Sequence, residues 1–412
     1  MIRIRRRRLR KQAIFVTKQE ETTTEHRVEP NDETLKLPKP DHGQPATDPD
    51  SSQDFAQEVV DYSKRLETCR KTLHLAGKTI RVGTTPNEIL HETRNYTLLH
   101  YRPMTNKTFP TPILVVYALM NKSYILDLQP GKSWIQNLLR QGFDVYLINW
   151  NAPSSIDKYI SFDDYVNYYL DRCVETVKKK RNVEKVTLHG YCLGATMSVM
   201  YTATHQEKVR NLVTIAPIID ADQDSTVLAN FAKNIDVDKL VDTLGNFTSE
   251  QLYTCYSMLK PFKQGVNKYI NLVQNIDNKK FVENFLGVEK WLYDTPPIAG
   301  ETFRQWIKDI YQNNLLAKNE MRIKEISGRD NYATDDHNII DLSKVTVPLL
   351  NIVAEEDHLV APASSAALND LVSSKDKRLM RFHTGHVGLI ASSYSQNNVL
   401  PKVGQWIKSR SQ

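Results

Sequence analysis

Two glycines bracket a cysteine in Val186-Thr-Leu-His-Gly-Tyr-Cys192-Leu-Gly-Ala-Thr-Met197, and few backbone arrangements satisfy that pattern. A short apolar, β-branched run leads into Gly190-Tyr191-Cys192-Leu193-Gly194. Behind it Met197, Met200 and Tyr201 fall at helical spacing. A strand that turns into a helix through one residue forces that residue into a strained conformation. The positions two before and two after must then be small, and here both are Gly. Cys192 would stand at a helix N-terminus, whose dipole favours a thiolate. Read alone, the same five residues also fit a buried Cys on a Gly-containing turn. The rest of the chain separates the two readings.

Around this stretch, buried strands alternate with helices. Thr93 to Tyr101 alternates enough for a strand, and Pro112-Ile-Leu-Val-Val-Tyr-Ala118 is a continuous apolar run suited to a parallel strand buried on both faces. Trp134 to Leu139 predicts a helix, and Phe143 to Trp150 the next buried strand. Phe162 to Lys180 puts Tyr165, Val166, Tyr169, Leu170, Cys173, Val174 and Val177 on one helical face. After the elbow and its helix comes the strand Asn211 to Pro217. Such alternation predicts a mostly parallel sheet flanked by helices. With the elbow, that is the α/β-hydrolase fold, with Cys where most members carry Ser.

Two regions depart from this rhythm. Residues 1–54 begin with a basic cluster, Arg3 and Arg5 to Arg8, and continue polar to Ser52. That composition cannot bury enough apolar surface to order itself, so a disordered tail is expected, with an electrostatic contact as the sharper alternative. The catalytic core would start at 55 with a helix from Phe55 and run to 217. Residues 218–342 carry helical patterns without a convincing buried strand, clearest at Asp238–Leu244, Asn267–Gln274 and Arg304–Leu316. They predict an inserted, mainly helical cap. Strand and helix alternation resumes at Val345 to Val353, so 343–412 complete the core.

Composition excludes several classes. The chain has 412 residues, enough for one large domain with an insertion, and 40% hydrophobic residues, which suits a soluble globular protein. Its net charge of +6 is modest and owes much to the first dozen residues. The four cysteines, Cys69, Cys173, Cys192 and Cys255, show no metal-ligand spacing and read as intracellular thiols. No apolar run approaches the roughly 18–20 residues of a membrane span, and the Arg-rich start lacks a signal-peptide core. A cytoplasmic location is expected. Dinucleotide, phosphate-loop and zinc-protease fingerprints are absent.

A Cys nucleophile needs a base, and the base an orienting acid. In this fold the acid and then the His follow the nucleophile, on loops after late strands. Asp357, in Val353-Ala-Glu-Glu-Asp-His-Leu-Val-Ala-Pro362, is the candidate acid. His386, in Thr384-Gly-His-Val-Gly388 after a short strand from Arg378 to Phe382, is the candidate base. Glu355, Glu356, His358 and His383 compete locally. For the oxyanion, one donor should be the backbone N–H of Leu193. The other should come from the loop after Ala118, with Met120 first and Leu119 next. His189 beside the elbow reads as structural.

These blocks resemble the catalytic subunit of poly(3-hydroxyalkanoate) synthases over roughly residues 60–410. The resemblance rests on the Gly190–Gly194 box, on Tyr117-Ala-Leu-Met-Asn-Lys-Ser-Tyr-Ile-Leu-Asp-Leu128 and on Asp144 to Trp150. It rests also on Glu289-Lys-Trp-Leu-Tyr-Asp-Thr-Pro296 and on the Asp357 and His386 loops. Tyr117-Ala118, where larger synthases carry two prolines, resembles the short-chain class III and class IV enzymes, which work with a second, smaller subunit. The chain departs from the family at Ala195, where a second Gly is usual, at Asn151, where Gly is common, and in its long tail. None of these removes a catalytic group.

The resemblance implies polymerisation of (R)-3-hydroxyacyl-CoA, such as 3-hydroxybutyryl-CoA, with release of CoA through a Cys192 acyl-enzyme. It implies no cofactor, acyl-CoA being the substrate, and association with polyester granules that hold the growing chain. It also implies a homodimer and a smaller second subunit, with no clear nucleic-acid or membrane partner. Phe285, Leu286, Trp291, Leu292 and Tyr293 form the densest apolar cluster of the cap. They are expected either to pack on the hydrolase core or to meet another subunit, with filling of the cap's own core as the plainer alternative. A thioesterase, esterase or depolymerase on the same scaffold, and a non-catalytic granule protein, are the alternatives.

Overall fold

The computed structural model describes residues 49–259, 267–327 and 332–411, and the basic cluster of the predicted tail lies outside the described residues. Residues 57–412 form one unit. α1 (Pro49–Thr79) begins before it, and its first half contains the rest of that helix, β1 (Asn87–Glu92), β2 (Tyr96–Tyr101), β3 (Ile113–Val116), α2 (Trp134–Arg140) and β4 (Val145–Trp150). There follow α3 (Asp171–Arg181), β5 (Val186–Tyr191), α4 (Leu193–His205) and β6 (Val209–Ile215). Between β6 and β9 lie α5 (Val227–Asn234), α6 (Val237–Leu244), α7 (Ser249–Leu259), α8 (Lys268–Gln274), α9 (Lys279–Tyr293) and α10 (Gly300–Gln305), then β7 (Arg322–Ser327) and β8 (Tyr332–Ile339). β9 (Leu349–Ala354) and β10 (Lys377–Phe382) complete the strands.

Eight strands make one sheet in the order β1-β2-β4-β3-β5-β6-β9-β10. β2 pairs antiparallel with β1 and β4, and every other pairing in the sheet is parallel. β3, β5 and β9 are buried at every residue. Such strands are covered on both faces, which is why their sequences read as unbroken apolar runs. Each Val, Ile or Leu buried there contributes about 1.5–3 kcal/mol. Because β3, β5, β6, β9 and β10 run the same way, the loops that follow them share one edge of the sheet. Gly190 pairs with Val116 on one side and Thr214 on the other, and Ala354 pairs with Phe382. In open α/β sheets this edge is where ligands bind.

The structure corrects the sequence reading in several places. α1 begins at Pro49, so residues 49–54, assigned to the tail, are helical. Proline suits the first helical position and Asp50 suits the positive end of the dipole. The insertion is not free of strands, because β7 and β8 form an antiparallel hairpin. The start of β7 alternates, with Met321 and Ile323 buried and Arg322 and Lys324 exposed, so it shows no continuous apolar run. The helix expected over Arg304–Leu316 starts earlier, as α10, continues as a π-helix over Trp306–Gln312 and stops before Asn314, whose φ is 51°. A second π-helical turn, Asp164–Leu170, precedes α3. β1, α5, α7 and α9 were not anticipated as separate elements.

Candidate active site

Cys192 sits between β5 and α4 with φ 55° and ψ −129°, a conformation rare for a side-chain-bearing residue. The surroundings hold it there. Its N–H donates to the Ile215 carbonyl at 2.9 Å, and its carbonyl accepts from the N–H groups of Ala195 at 2.8 Å and Thr196 at 3.2 Å. The flanking glycines are sterically required. A Cβ at Gly190 would lie 2.3 Å from the Ala195 Cα, and one at Gly194 would lie 2.2 Å from the Val116 carbonyl oxygen. The backbones of β5, α4 and β3 therefore touch where the chain turns. Ala195, with its extra methyl, is fully buried at this turn.

Asp357 and His386 come from the loops after β9 and β10. The His386 Nδ1–H donates to Asp357 Oδ2 at 2.6 Å, and the two side chains are 4% and 2% exposed. The other Asp357 oxygen accepts from the N–H groups of Leu359 at 2.9 Å and Val360 at 3.1 Å. Burial works against the charge on Asp357. The His386 ring and those two N–H groups outweigh it and hold the carboxyl below its ordinary range. Burial likewise opposes the imidazolium of His386, but Asp357 and the neighbouring Cys192 raise its pKa to about 10. With Nδ1 committed to Asp357, Nε2 is the nitrogen left for Cys192. The phenol of Tyr191 donates to the His386 carbonyl at 3.4 Å and its ring packs against the imidazole.

The competing residues are placed elsewhere or otherwise engaged. His383 Nδ1 lies 2.6 Å from Glu355 Oε2, but that His side chain is 84% exposed. Glu356 is exposed. His358 lines the cavity beside Asp357. His189 is fully buried, and its Nε2 accepts from the Trp134 indole at 3.1 Å. Burial pushes its pKa down to about 4, so it stays neutral, as a structural residue would.

Cys192 and His386 line a cavity of about 450 Å³. The core contributes Tyr117, Met120, Tyr191 and the His386 loop. The insertion contributes Tyr256, Phe281, Phe285, Val288, Trp291 and Leu292, with the ion pair of Lys268 and Glu289 at 2.8 Å in the wall. Met120 lines this space and Leu119 does not. Leu193 is the first residue of α4, so its N–H has no partner within the helix. Among the described residues, no three His, Cys, Asp or Glu side chains gather into a group that could hold a metal ion. No described helix is long and apolar enough to cross a membrane.

Of the placements expected for the apolar cluster of the insertion, Trp291 takes packing on the core. It is 6% exposed, and its indole N–H donates to the Lys122 carbonyl at 2.8 Å. It is neither a free surface anchor nor confined to the insertion's own core, since it packs on the loop after β3. Only Tyr293 of that cluster is well exposed, at 58%. The contacts of Trp291, Thr295 and Tyr256 with this loop span 136 to 174 residues of sequence, and nothing local announces them.

Comparison with known proteins agrees with this fold. Residues 111–392 match the family model for the alpha/beta hydrolase fold, and residues 53–138 match that for the poly-beta-hydroxybutyrate polymerase N-terminus. A soluble variant of monoglyceride lipase from Saccharomyces cerevisiae, in complex with a substrate analogue, is 13% identical with a TM-score of 0.51. The match covers 81% of this chain and 99% of that one, and the likeness is one of fold. The poly(3-hydroxyalkanoate) polymerase subunit PhaC of Allochromatium vinosum is 40% identical, covering 86% of this chain and 97% of that protein. Its namesake from Haloferax mediterranei is also 40% identical, covering 87% of this chain and 70% of that protein. With that identity along nearly all of the core, and an N-terminal segment matching that of the polymerases, the chain belongs to the poly(3-hydroxyalkanoate) polymerase family.

Proposed function

We propose that the chain polymerises short (R)-3-hydroxyacyl-CoA, such as 3-hydroxybutyryl-CoA, into polyester with release of CoA. The observation that carries this reading is the placement of Cys192, on a strained turn at the wall of a largely apolar cavity beside the buried His386–Asp357 pair. His386 takes the Cys192 proton on Nε2 before the attack, as its raised pKa favours, and the sulfur attacks the thioester carbon as the thiolate. Asp357 stabilises the imidazolium. The N–H groups of Leu193 and Met120 hold the oxyanion. Collapse breaks the bond to the CoA sulfur, which takes the proton from His386. In the second half, the hydroxyl of a hydroxyacyl unit gives its proton to His386 and attacks the acyl carbon. An ester forms and Cys192 is released. Asp357 also helps activate that hydroxyl.

Water would divert the acyl-enzyme to hydrolysis, so the insertion acts as a cap over the reacting atoms. Acyl-CoA enters as substrate and the reading requires no cofactor. Granule association, a homodimer and a smaller second subunit belong to the same proposal. The test is CoA release and polymer formation from 3-hydroxybutyryl-CoA, with and without a co-purified partner. Cys192→Ser should lose nearly all turnover while keeping its fold, because the hydroxyl is a far weaker nucleophile at neutral pH. Turnover within about tenfold of wild type would overturn the assignment. Free 3-hydroxybutyrate in place of polymer would mark a thioesterase.

A further inference from the structure

We infer that Trp291 and Asn121, with Thr295, are positioning residues that fix the loop after β3 so that the Met120 N–H meets the oxyanion. This rests on the reading of that loop as the second half of the oxyanion hole. Three consecutive residues of the loop are each bonded to the insertion. The Met120 sulfur accepts from the Tyr256 phenol at 3.1 Å. The Asn121 side-chain amide donates to Thr295 Oγ1 at 2.5 Å and lies 3.5 Å from the Trp291 carbonyl. The Lys122 carbonyl accepts from the Trp291 indole at 2.8 Å.

Backbone geometry explains why anchors are needed. Asn121 has φ 62°, in the left-handed region that only Gly and, less readily, Asn and Asp visit. A residue held there turns the chain sharply just after the peptide that must present its N–H to the cavity. Asn121, Thr295 and Trp291 are 8%, 5% and 6% exposed, so water does not compete for these bonds. Thr295 is itself tied to α9, its hydroxyl donating to the Leu292 carbonyl at 3.2 Å. The donor from the core is therefore aimed by the end of a helix in the insertion. Where that helix sits decides whether the oxyanion hole exists.

The test uses the full chain and two reactions at the same sulfur. Acylation of Cys192, by 3-hydroxybutyryl-CoA in single turnover or by p-nitrophenyl acetate, passes through an oxyanion. Alkylation by iodoacetamide does not. Mass spectrometry confirms that each label sits on Cys192. Trp291→Phe keeps the ring and removes the N–H. Thr295→Val removes the acceptor at nearly constant volume. Asn121→Gly keeps access to the left-handed region and removes the amide. Acylation should slow about 10- to 100-fold in each, less than the ~10²–10³ lost with a donor itself, while alkylation stays within about twofold. A merely structural role would slow both reactions together, and that result overturns the inference, as does unchanged acylation in all three variants. If Trp291→Phe misfolds, the other two decide. If the ester acylates wild-type Cys192 and the CoA thioester does not, the polymerase proposal fails and the inference is judged on the ester. If neither acylates it, both fall.

Discussion

The loops after β9 and β10 carry two carboxylate–histidine pairs of the same length. Glu355 with His383 and Asp357 with His386 are both Nδ1 to oxygen contacts at 2.6 Å, offset by two and three residues. One pair is in solvent, with side chains 84% and 31% exposed for His and Glu, and the other is 4% and 2% exposed for His and Asp. The contact alone therefore says little about chemistry. Burial matters more, because it strengthens the charge interaction and removes competing water. So do the N–H groups of Leu359 and Val360, which occupy the second oxygen of Asp357 and fix its direction. Exposed pairs of the first kind are generally worth little.

The sharpest way to break this comparison is to remove each histidine. His386→Ala should abolish acylation of Cys192, a loss of at least about 10³-fold, because no base remains. His383→Ala should stay within about twofold of wild type. Burst-phase CoA release from 3-hydroxybutyryl-CoA measures both, and equal losses would end the assignment of His386.

Exchanging the acids sharpens it further. Asp357→Asn should slow steady-state polymerisation by about 10²-fold or more and acylation by less, if the acid's main work is with the attacking hydroxyl. Glu355→Gln should leave both steps near wild type. Equal losses in the two steps for Asp357→Asn would leave that residue a purely orienting role.

The smallest effect is in stability against pH. The raised pKa of His386 means that its charged form stabilises the fold fully below the ordinary histidine value of about 6.5, and that this contribution fades as pH rises toward about 10. The lowered pKa of Asp357 has the opposite sense. Its contribution is present above the ordinary carboxylate value of about 4 and is lost as the medium becomes more acidic. The melting-temperature gap between wild type and His386→Gln should therefore be widest near pH 5–6 and narrow by pH 9–10. A gap independent of pH would show that the pair carries no net charge stabilisation.

The elbow was legible because sterics leave little choice there: Gly190 and Gly194 touch other backbones, and no larger residue fits. The central strands were legible because full burial leaves an unbroken apolar run. That Asp357 and His386 would meet was legible from their order and loop positions, although Glu355 and His383 occupy the same loops and differ in burial and in lacking the N–H groups that hold Asp357. β1 was missed because its exposed and half-buried residues show no clear period. β7 was missed because charged side chains alternate with Met321 and Ile323. Packing of Trp291 on the core was among the placements expected, but the loop it meets was not legible. A helix face records that it is buried, but not against what.

The cavity has two owners. One wall belongs to strands and loops whose geometry the sheet dictates, the other to α7 and α9 and their flanks, which the sheet does not constrain. Evolution can therefore reshape the space around the substrate by drift in Phe281, Phe285, Val288 or Leu292 without disturbing Cys192. An exception is the seam at Met120, Asn121 and Lys122, where three consecutive core residues beside the cavity are each bonded to the insertion. Across that seam, substitutions should be inherited in matched sets. A graft of one enzyme's insertion onto another's sheet should take only when the residues on both sides of the seam travel together.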